Sequence, residues 1–299
     1  MHVDPARLDA LAAVVRTGTF DAAARELHVT PSAVSQRVKA LEGSVGQVLV
    51  SRAKPCTPTA AGEALVRLAG QVDLLSRDAV AALAGDAARP QAVTVVVNAD
   101  SLSTWFVGAL AMLRDSPTRF WVEQEDEAHS AALLRDGTAT AAVTSDSRAV
   151  QGCRVEPLGA LRYVAVASPD VVASHLRGRP LARALPVAPR VEFNAKDSLQ
   201  ELFLDRLGAD PARDRGLWHR VPSSSGIIDA IRAGLGWGMA PQVAVAADLA
   251  SGGLVRVAPR HRLDVPLFWQ HWRVRSPTLD ALTHAVRTAA STSLVPPPP

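Results

Sequence analysis

The sequence predicts an α/β protein in three successive parts, and three observations predict it. Residues 1–58 read as short helices joined by tight turns, and residues 59–89 as one long helix with a hinge after it. Residues 90–299 read as strands alternating with helices, the mark of open α/β sheets with parallel strands.

The elements follow in order. Leu8, Leu11, Ala12 and Val15 recur at helical spacing, and Gly18 is a stop signal behind them. Phe20, Ala23, Ala24 and Leu27 form a second apolar face, which breaks at His28 and Val29. Thr30 then offers an N-cap, with Pro31 at the first helical position where its missing N–H is harmless. Val34, Val38 and Leu41 share one face of this third helix, and a short hairpin follows around Val48 to Val50 with a turn at Lys54 and Pro55. From Thr59 to about Ala84, Leu65, Leu68, Val72, Leu75, Ala79 and Ala82 recur at spacings of three and four. That seam suits a dimerising linker; the plainer alternative is a helix packed on its own domain. Residues 85–90 read as the hinge.

Beyond the hinge, Val93–Val97 is a buried strand and Leu102–Leu113 a helix, then Arg119–Gln124 a strand, Ala131–Arg135 a helix and Thr140–Val143 a strand. Tyr163–Ala167, Val187–Phe193 and Leu217–Val221 are further strands, and Pro296–Pro299 is a tail with no reason to fold. Trp105 and Trp121 read as core side chains.

Composition narrows the function classes. Apolar content of 48% and charged content of 20% describe a soluble globular chain. No apolar run approaches the roughly 18 residues of a bilayer span, and Asp4 stands where a secretion signal would be apolar. Cys56 and Cys153 are isolated, which suits a reducing cytoplasm, and the scattered histidines lack metal-ligand spacing. His219, His261, His271 and His284 have no nucleophile at readable spacing, so no catalytic residue, metal or cofactor is expected. Gly234-Leu235-Gly236-Trp237-Gly238 follows a helix, not a strand, and fails as a dinucleotide fingerprint.

The net charge of +3 matters less than its distribution. Arg25, Arg37, Lys39, Arg52 and Lys54 fall in one stretch against only Glu26 and Glu42, modest evidence for a polyanionic partner. Ala22–Glu42 as a unit, an apolar helix, a break and a capped helix with polar outward positions, matches a helix-turn-helix. In that motif the second helix enters the major groove of DNA. Ser32, Ser35 and Gln36 would read bases or bond phosphates, Arg37 and Lys39 would supply charge, and Arg52 would reach a phosphate or the minor groove.

Residues 6–62 resemble the DNA-binding head of the LysR-type transcriptional regulators. The likeness rests on Phe20-Asp21-Ala22-Ala23-Ala24, Leu27-His28-Val29-Thr30, Ser32-Ala33-Val34-Ser35-Gln36-Arg37, Leu41-Glu42 and Thr57-Pro58-Thr59-Ala60-Ala61-Gly62. It marks Thr30 and Ala33 as further DNA contacts. Pro31 stands where the family commonly has Gln, so a base contact expected there is absent or supplied by a neighbour. Asn98-Ala99-Asp100-Ser101-Leu102-Ser103-Thr104-Trp105, Glu125-Asp126-Glu127 and Leu158-Gly159-Ala160-Leu161-Arg162-Tyr163 narrow the resemblance to the lysine/arginine-responsive subfamily. Members activate export or metabolism of basic amino acids; some were also described as inhibitors of replication initiation that bind the chromosome origin.

The resemblance implies a winged helix-turn-helix, a linker helix and a periplasmic-binding-protein-like sensor, with subdomain I at about 90–161 and 266–295 and subdomain II at about 162–265. It further implies cytoplasmic homodimers through the linker, tetramers on promoter DNA, contact with RNA polymerase, and a chain crossing between subdomains at Gly234–Gly238. Physics points to the same ligand site. Asp100, Ser101 and Thr104 lie between a strand and a helix, where ligands of open α/β sheets collect. Glu125 and Asp126 close the next strand, Thr144 and Ser145 the third, and acidic partners there suit a cationic amine. Ser223 and Ser224 open a later helix as a second lobe's contribution. An architectural role at a replication origin and an enzyme fused to a DNA-binding head are the competing readings.

Overall fold

The computed structural model describes residues 3–84, 91–125, 127–210 and 216–296. Asp126, the hinge 85–90 and the end of the C-terminal tail, 297–299, lie outside the described residues.

The head is built as its sequence signals dictate. Helix α1 (Pro5–Thr17) starts on an Asp4 cap and ends at Gly18 in the left-handed conformation, φ 72°. Helix α2 (Phe20–Glu26) is capped by Thr19, and His28 makes the following turn at φ 54°, a conformation that disfavours non-glycine residues. Helix α3 (Pro31–Val45) has Thr30 as N-cap, its Oγ1 accepting the Ala33 N–H at 3.2 Å. Val34, Val38 and Leu41 are fully buried, each contributing about 1.5–3 kcal/mol of apolar transfer. They pack with Leu8, Leu11, Val14, Ala23 and Leu49 in one core. Strands β1 (Val50–Ser51) and β2 (Thr57–Pro58) form the antiparallel wing.

Helix α4 (Ala60–Ala84) serves two faces. Val66, Ala69 and Leu74 are buried, and Leu65 and Leu68 lean on the head core. Trp272 fills the notch over Gly70, where an added Cβ would meet its ring edge at 2.5 Å. Leu75 is 41% exposed, and Ala79 and Ala82 are also exposed, so the second half of the seam lies open on this chain.

The chain divides into two compact units. The first comprises Met1–Asn98, Leu110–Glu156 and Phe268–Ala285; the second comprises Ala99–Ala109, Pro157–Leu267 and Val286–Pro299. In the first, strand β3 (Gln91–Val97) pairs in parallel with β4 (Thr118–Gln124) along its length and with β5 (Ala141–Thr144) at Val95 and Val96. Strand β6 (Cys153–Ala167) begins in the first unit and ends in the second. In the second unit, β7 (Arg190–Glu192) and β8 (Trp218–Arg220) form a separate parallel pair. Strands β9 (Gly238–Pro241) and β10 (Val255–Arg256) run antiparallel to β6. Strand β11 (Leu263–Trp272) returns the chain and pairs antiparallel with β5. The second unit's core gathers Val164, Val166, Val191, Ile231 and Leu254.

Several expectations need correction. The sheets are mixed, because the two longest strands, β6 and β11, pair antiparallel; only Tyr163–Ala167 of β6 was expected, since Pro157, Gly159 and Pro266 interrupt the pattern elsewhere. The strand expected from Val187 begins at Arg190, Val187 closing a 3-10 turn behind Pro186. The helix expected over Leu102–Leu113 starts at Ala99, ends at Ala111 and holds a π-turn, Leu102–Phe106. Trp105 is buried, but Trp121 is 67% exposed. Gly234–Gly238 is the expected tight helix-to-strand turn, yet it crosses nothing, since all of Pro157–Leu267 belongs to one unit. Close approach explains its glycines: a Cβ on Gly236 would meet the Pro189 carbonyl oxygen at 2.3 Å.

Candidate functional site

On the head, burial of Val34, Val38 and Leu41 leaves the opposite face of α3 to its polar residues. Thr30, Ser32, Gln36 and Lys39 are exposed, and Ala33, Ser35 and Arg37 half-buried. Ser32, Ser35, Gln36 and Lys39 follow at helical spacing, so they line one face. Pro31 stands exposed at its first turn, without an N–H to offer.

The wing is held beside this helix by backbone ties. The Leu49 N–H donates to Glu42 Oε1 at 2.9 Å, and the Cys56 N–H to the Gly18 carbonyl at 2.8 Å. The Arg52 guanidinium sits over the Phe20 ring, 5.3 Å from its centroid, a cation–π contact that fixes its direction. Glu26 is paired with Arg16, so one of the two acids in this basic stretch is already engaged.

In the second unit, three side chains from distant parts of the chain meet at one carboxylate. Asp100 Oδ2 accepts the Tyr163 hydroxyl at 2.5 Å, and its Oδ1 accepts the Ser224 hydroxyl at 2.6 Å. Ser224 reaches it because Ser223 caps the helix Ser224–Arg232, its Oγ accepting the Gly226 N–H at 3.2 Å. Asp197 adds a second negative charge nearby while its carboxylate caps its own loop, accepting the Phe193 and Leu199 N–H groups.

Burial, the largest cause, raises the Asp100 carboxyl above its ordinary value; the two hydroxyls oppose this and Asp197 adds to it. Burial and the Asp100 charge push the Tyr163 phenol well up. No cation pairs with Asp100 among the described residues. A half-buried carboxylate with spare lone pairs and no counter-ion among the described residues can receive an ammonium or guanidinium group.

The other predicted residues fall as follows. Ser101 is buried, and the Thr104 hydroxyl donates to the Asp100 carbonyl at 2.5 Å, which commits its proton to its own helix. Glu125, Thr144 and Ser145 belong to the first unit, at the carboxyl ends of β4 and β5 on either side of β3. Glu125 has His129 4.0 Å away, and Thr144 Oγ1 accepts the Asp146 N–H at 3.0 Å. Tyr163 and Asp197 escaped the sequence reading. Tyr163 is the chain's one tyrosine and lies in a segment that carried the family resemblance, a signal that was there to use.

Among the described residues no group of His, Cys, Asp and Glu is placed to hold a metal ion. Burial pushes the Cys153 thiol up to about 11, which makes it a poor nucleophile.

Comparison with known proteins adds to this geometry. The family described as bacterial regulatory helix-turn-helix protein, lysR family, matches residues 5–63, and the LysR substrate binding domain matches residues 76–291. The HTH-type transcriptional regulator LysG of Mycobacterium tuberculosis is 49% identical over 97% of this chain and 94% of its own length. The lysine export transcriptional regulatory protein LysG of Corynebacterium glutamicum is 40% identical over 98% of this chain and 100% of its own. The structure of full-length LysG from Corynebacterium glutamicum with bound effector Arg superimposes with a TM-score of 0.84 at 39% identity, covering 98% of this chain and 100% of that one.

Proposed function

This chain belongs to the LysR family of bacterial helix-turn-helix regulators, and from that premise we propose that it binds promoter DNA and adjusts transcription to the level of a basic amino acid, arginine or lysine. The observation that carries the ligand is the half-buried Asp100 carboxylate, which has two hydroxyl donors and no cation beside it among the described residues. Each charge-assisted hydrogen bond from a guanidinium or ammonium is worth about 1.5–3 kcal/mol, whereas a neutral amino acid side chain brings none. The Corynebacterium glutamicum relative is described as a regulator of lysine export and holds Arg as effector, which supports the same chemistry here. Those descriptions speak of transcription, which disfavours an architectural role at a replication origin.

The head reads DNA with Thr30, Ser32, Ala33, Ser35, Gln36, Arg37 and Lys39, and Arg52 of the wing adds a backbone or minor-groove contact. Homodimers form along Leu65, Leu68, Val72, Leu75 and Ala79 of α4, and two dimers pair on DNA. The chain acts in the cytoplasm with RNA polymerase, by binding and not by catalysis. Ser223 sets the Ser224 hydroxyl. Effector occupancy shifts the population of sensor conformations, and α4 carries that shift to the head.

Calorimetry on the full chain tests the ligand. Arginine and lysine bind and leucine does not; equal heats from leucine, or none from any basic amino acid, would remove the assignment. Retention of genomic promoter fragments at low salt tests the DNA half separately.

A further inference from the structure

A half-open cavity of about 500 Å³ lies in the first unit, between α1 and α4 on one side and β3, β4 and the turn before β5 on the other. Its sheet wall follows from register. Thr94 stands opposite Trp121 in the parallel pair, so Thr94, Trp121 and, two residues on, Glu123 share one pleated face. Glu123 has neither ion pair nor hydrogen bond among the described residues, and burial raises the Asp136 carboxyl beside it in the lining.

The helical wall carries two arginines, each already holding an acid: Arg16 pairs with Glu26 and Arg77 with Asp73, which also lines the wall. Arg16 and Arg77 line it together; burial, and after it the Arg16 charge, holds the Arg77 guanidinium below its ordinary value. Arg77 is anchored by Asp73 one turn earlier, at 2.9 Å, and reaches across to the Ala92 carbonyl at 3.5 Å. The floor adds an unmet demand. Trp272 lines the cavity at 3% exposure, and its indole N–H has no hydrogen-bond partner among the described residues. Trp121 is 67% exposed despite standing on a sheet wall that faces two helices.

Open volume, an orphaned buried donor, a sheet wall with the unpaired Glu123 and a helical wall with two arginines occur here together. Apolar cavities stay dry, but this one is polar on both sides and large enough for an amino acid. We propose that this cavity is a second small-molecule site, taking a dipolar ligand of amino-acid size. Its carboxylate meets Arg16, Arg77 and the Trp272 N–H, and its cationic group meets Glu123, Asp136 and the face of Trp121. A ligand held there touches the head through α1 and α4 and the sensor sheet through β3 and β4. Its occupancy therefore ties the DNA-binding helices to the sensor without acting through Asp100. The proposal stands whether or not the Asp100 cluster binds.

Isothermal titration of the full chain with L-arginine tests it, with agmatine, which lacks the carboxylate, as the control probe. Trp121→Ala is the primary variant, because an exposed side chain is replaced without opening a core. Two arginines bind per wild-type chain, and Trp121→Ala or Glu123→Gln weakens one of them about tenfold, the loss of one favourable contact. Agmatine fills that site about tenfold more weakly than arginine. One arginine per chain, lost on Asp100→Asn and indifferent to Trp121→Ala and Glu123→Gln, overturns the proposal. One arginine per chain that ignores Asp100→Asn but weakens with Trp121→Ala keeps this site and removes the Asp100 assignment instead.

Discussion

Replacing Asp100 by asparagine preserves size and shape, removes the charge and turns one acceptor oxygen into an NH2 donor, to which the rotatable hydroxyl facing it can become acceptor. The side chain accepts two hydroxyl hydrogen bonds, from Tyr163 at 2.5 Å and Ser224 at 2.6 Å. A carboxylate has about four lone-pair sites, so roughly two remain for a ligand. One or two charge-assisted bonds at about 1.5–3 kcal/mol each put the loss of arginine affinity at about 10-fold for a single weak contact and above 100-fold for a strong one. The unliganded protein behaves in the opposite sense. Burial raises the Asp100 carboxyl, so the folded chain holds this proton more tightly than the unfolded chain does. Its stability contribution is therefore unfavourable above the raised value and fades as pH falls toward the ordinary carboxylate range. Asp100→Asn removes that penalty: the apo melting temperature at neutral pH stays level or rises, and its dependence on pH through the mildly acidic range flattens. Arginine affinity in the wild type rises with pH over the same range, because the ligand selects the charged carboxylate. Thermal melts with and without arginine read both effects. A wild-type arginine response that survives intact in Asp100→Asn refutes the reasoning.

Arg37→Ala and Arg52→Ala weaken promoter binding and each lower the slope of log affinity against log salt by about one, checked by fluorescence anisotropy across a salt series. Phe20→Leu keeps the apolar contact but removes the ring 5.3 Å from the Arg52 guanidinium. About 0.5–1 kcal/mol of DNA affinity goes with it, and in an Arg52→Ala background Phe20→Leu loses nothing further. Gly70→Ala places a Cβ 2.5 Å from the buried Trp272 ring. It destabilises the fold by about 1–3 kcal/mol in denaturant titration. Leu75→Glu, on a side chain 41% exposed, shifts the chain toward monomer in light scattering and leaves the far-ultraviolet spectrum unchanged.

The head was legible because its signals are local. Gly18, Thr30 and Pro31 each act within one turn of where they stand, and the structure uses each as read. Parallel β3 and β5 were legible for a related reason, since buried strands are continuous apolar runs bounded by turns, and β4 through its aromatic and β-branched centre Phe120-Trp121-Val122. The first part of β6, before Tyr163, and all of β11 were not, because Pro157, Gly159 and Pro266 interrupt the pattern and only tertiary pairing carries the chain through. Trp121 was misread as core for want of knowing what faces it; its partner across the cavity, Trp272, is 151 positions away in the chain, 272 less 121. At the ligand site Asp100 and Ser224 were found from their places at helix starts. Tyr163 was not, since its strand position says only that one face is buried, and the hydroxyl's target lies 63 residues back.

That long separation is what makes the Asp100 cluster useful to a sensor. Residues 100, 163 and 224 sit on a helix start, a long strand and a second helix start, so one carboxylate ties three segments of the second unit. Without ligand, both hydroxyls serve a charge that burial disfavours, and protonation of the acid relieves it. A bound cation changes the balance: it keeps the carboxylate ionised, so both hydroxyl hydrogen bonds persist and hold the three segments together. A neutral amino acid of the same shape leaves the penalty in place. Discrimination then rests less on the number of contacts a ligand makes than on whether it neutralises a charge the fold has left without a partner.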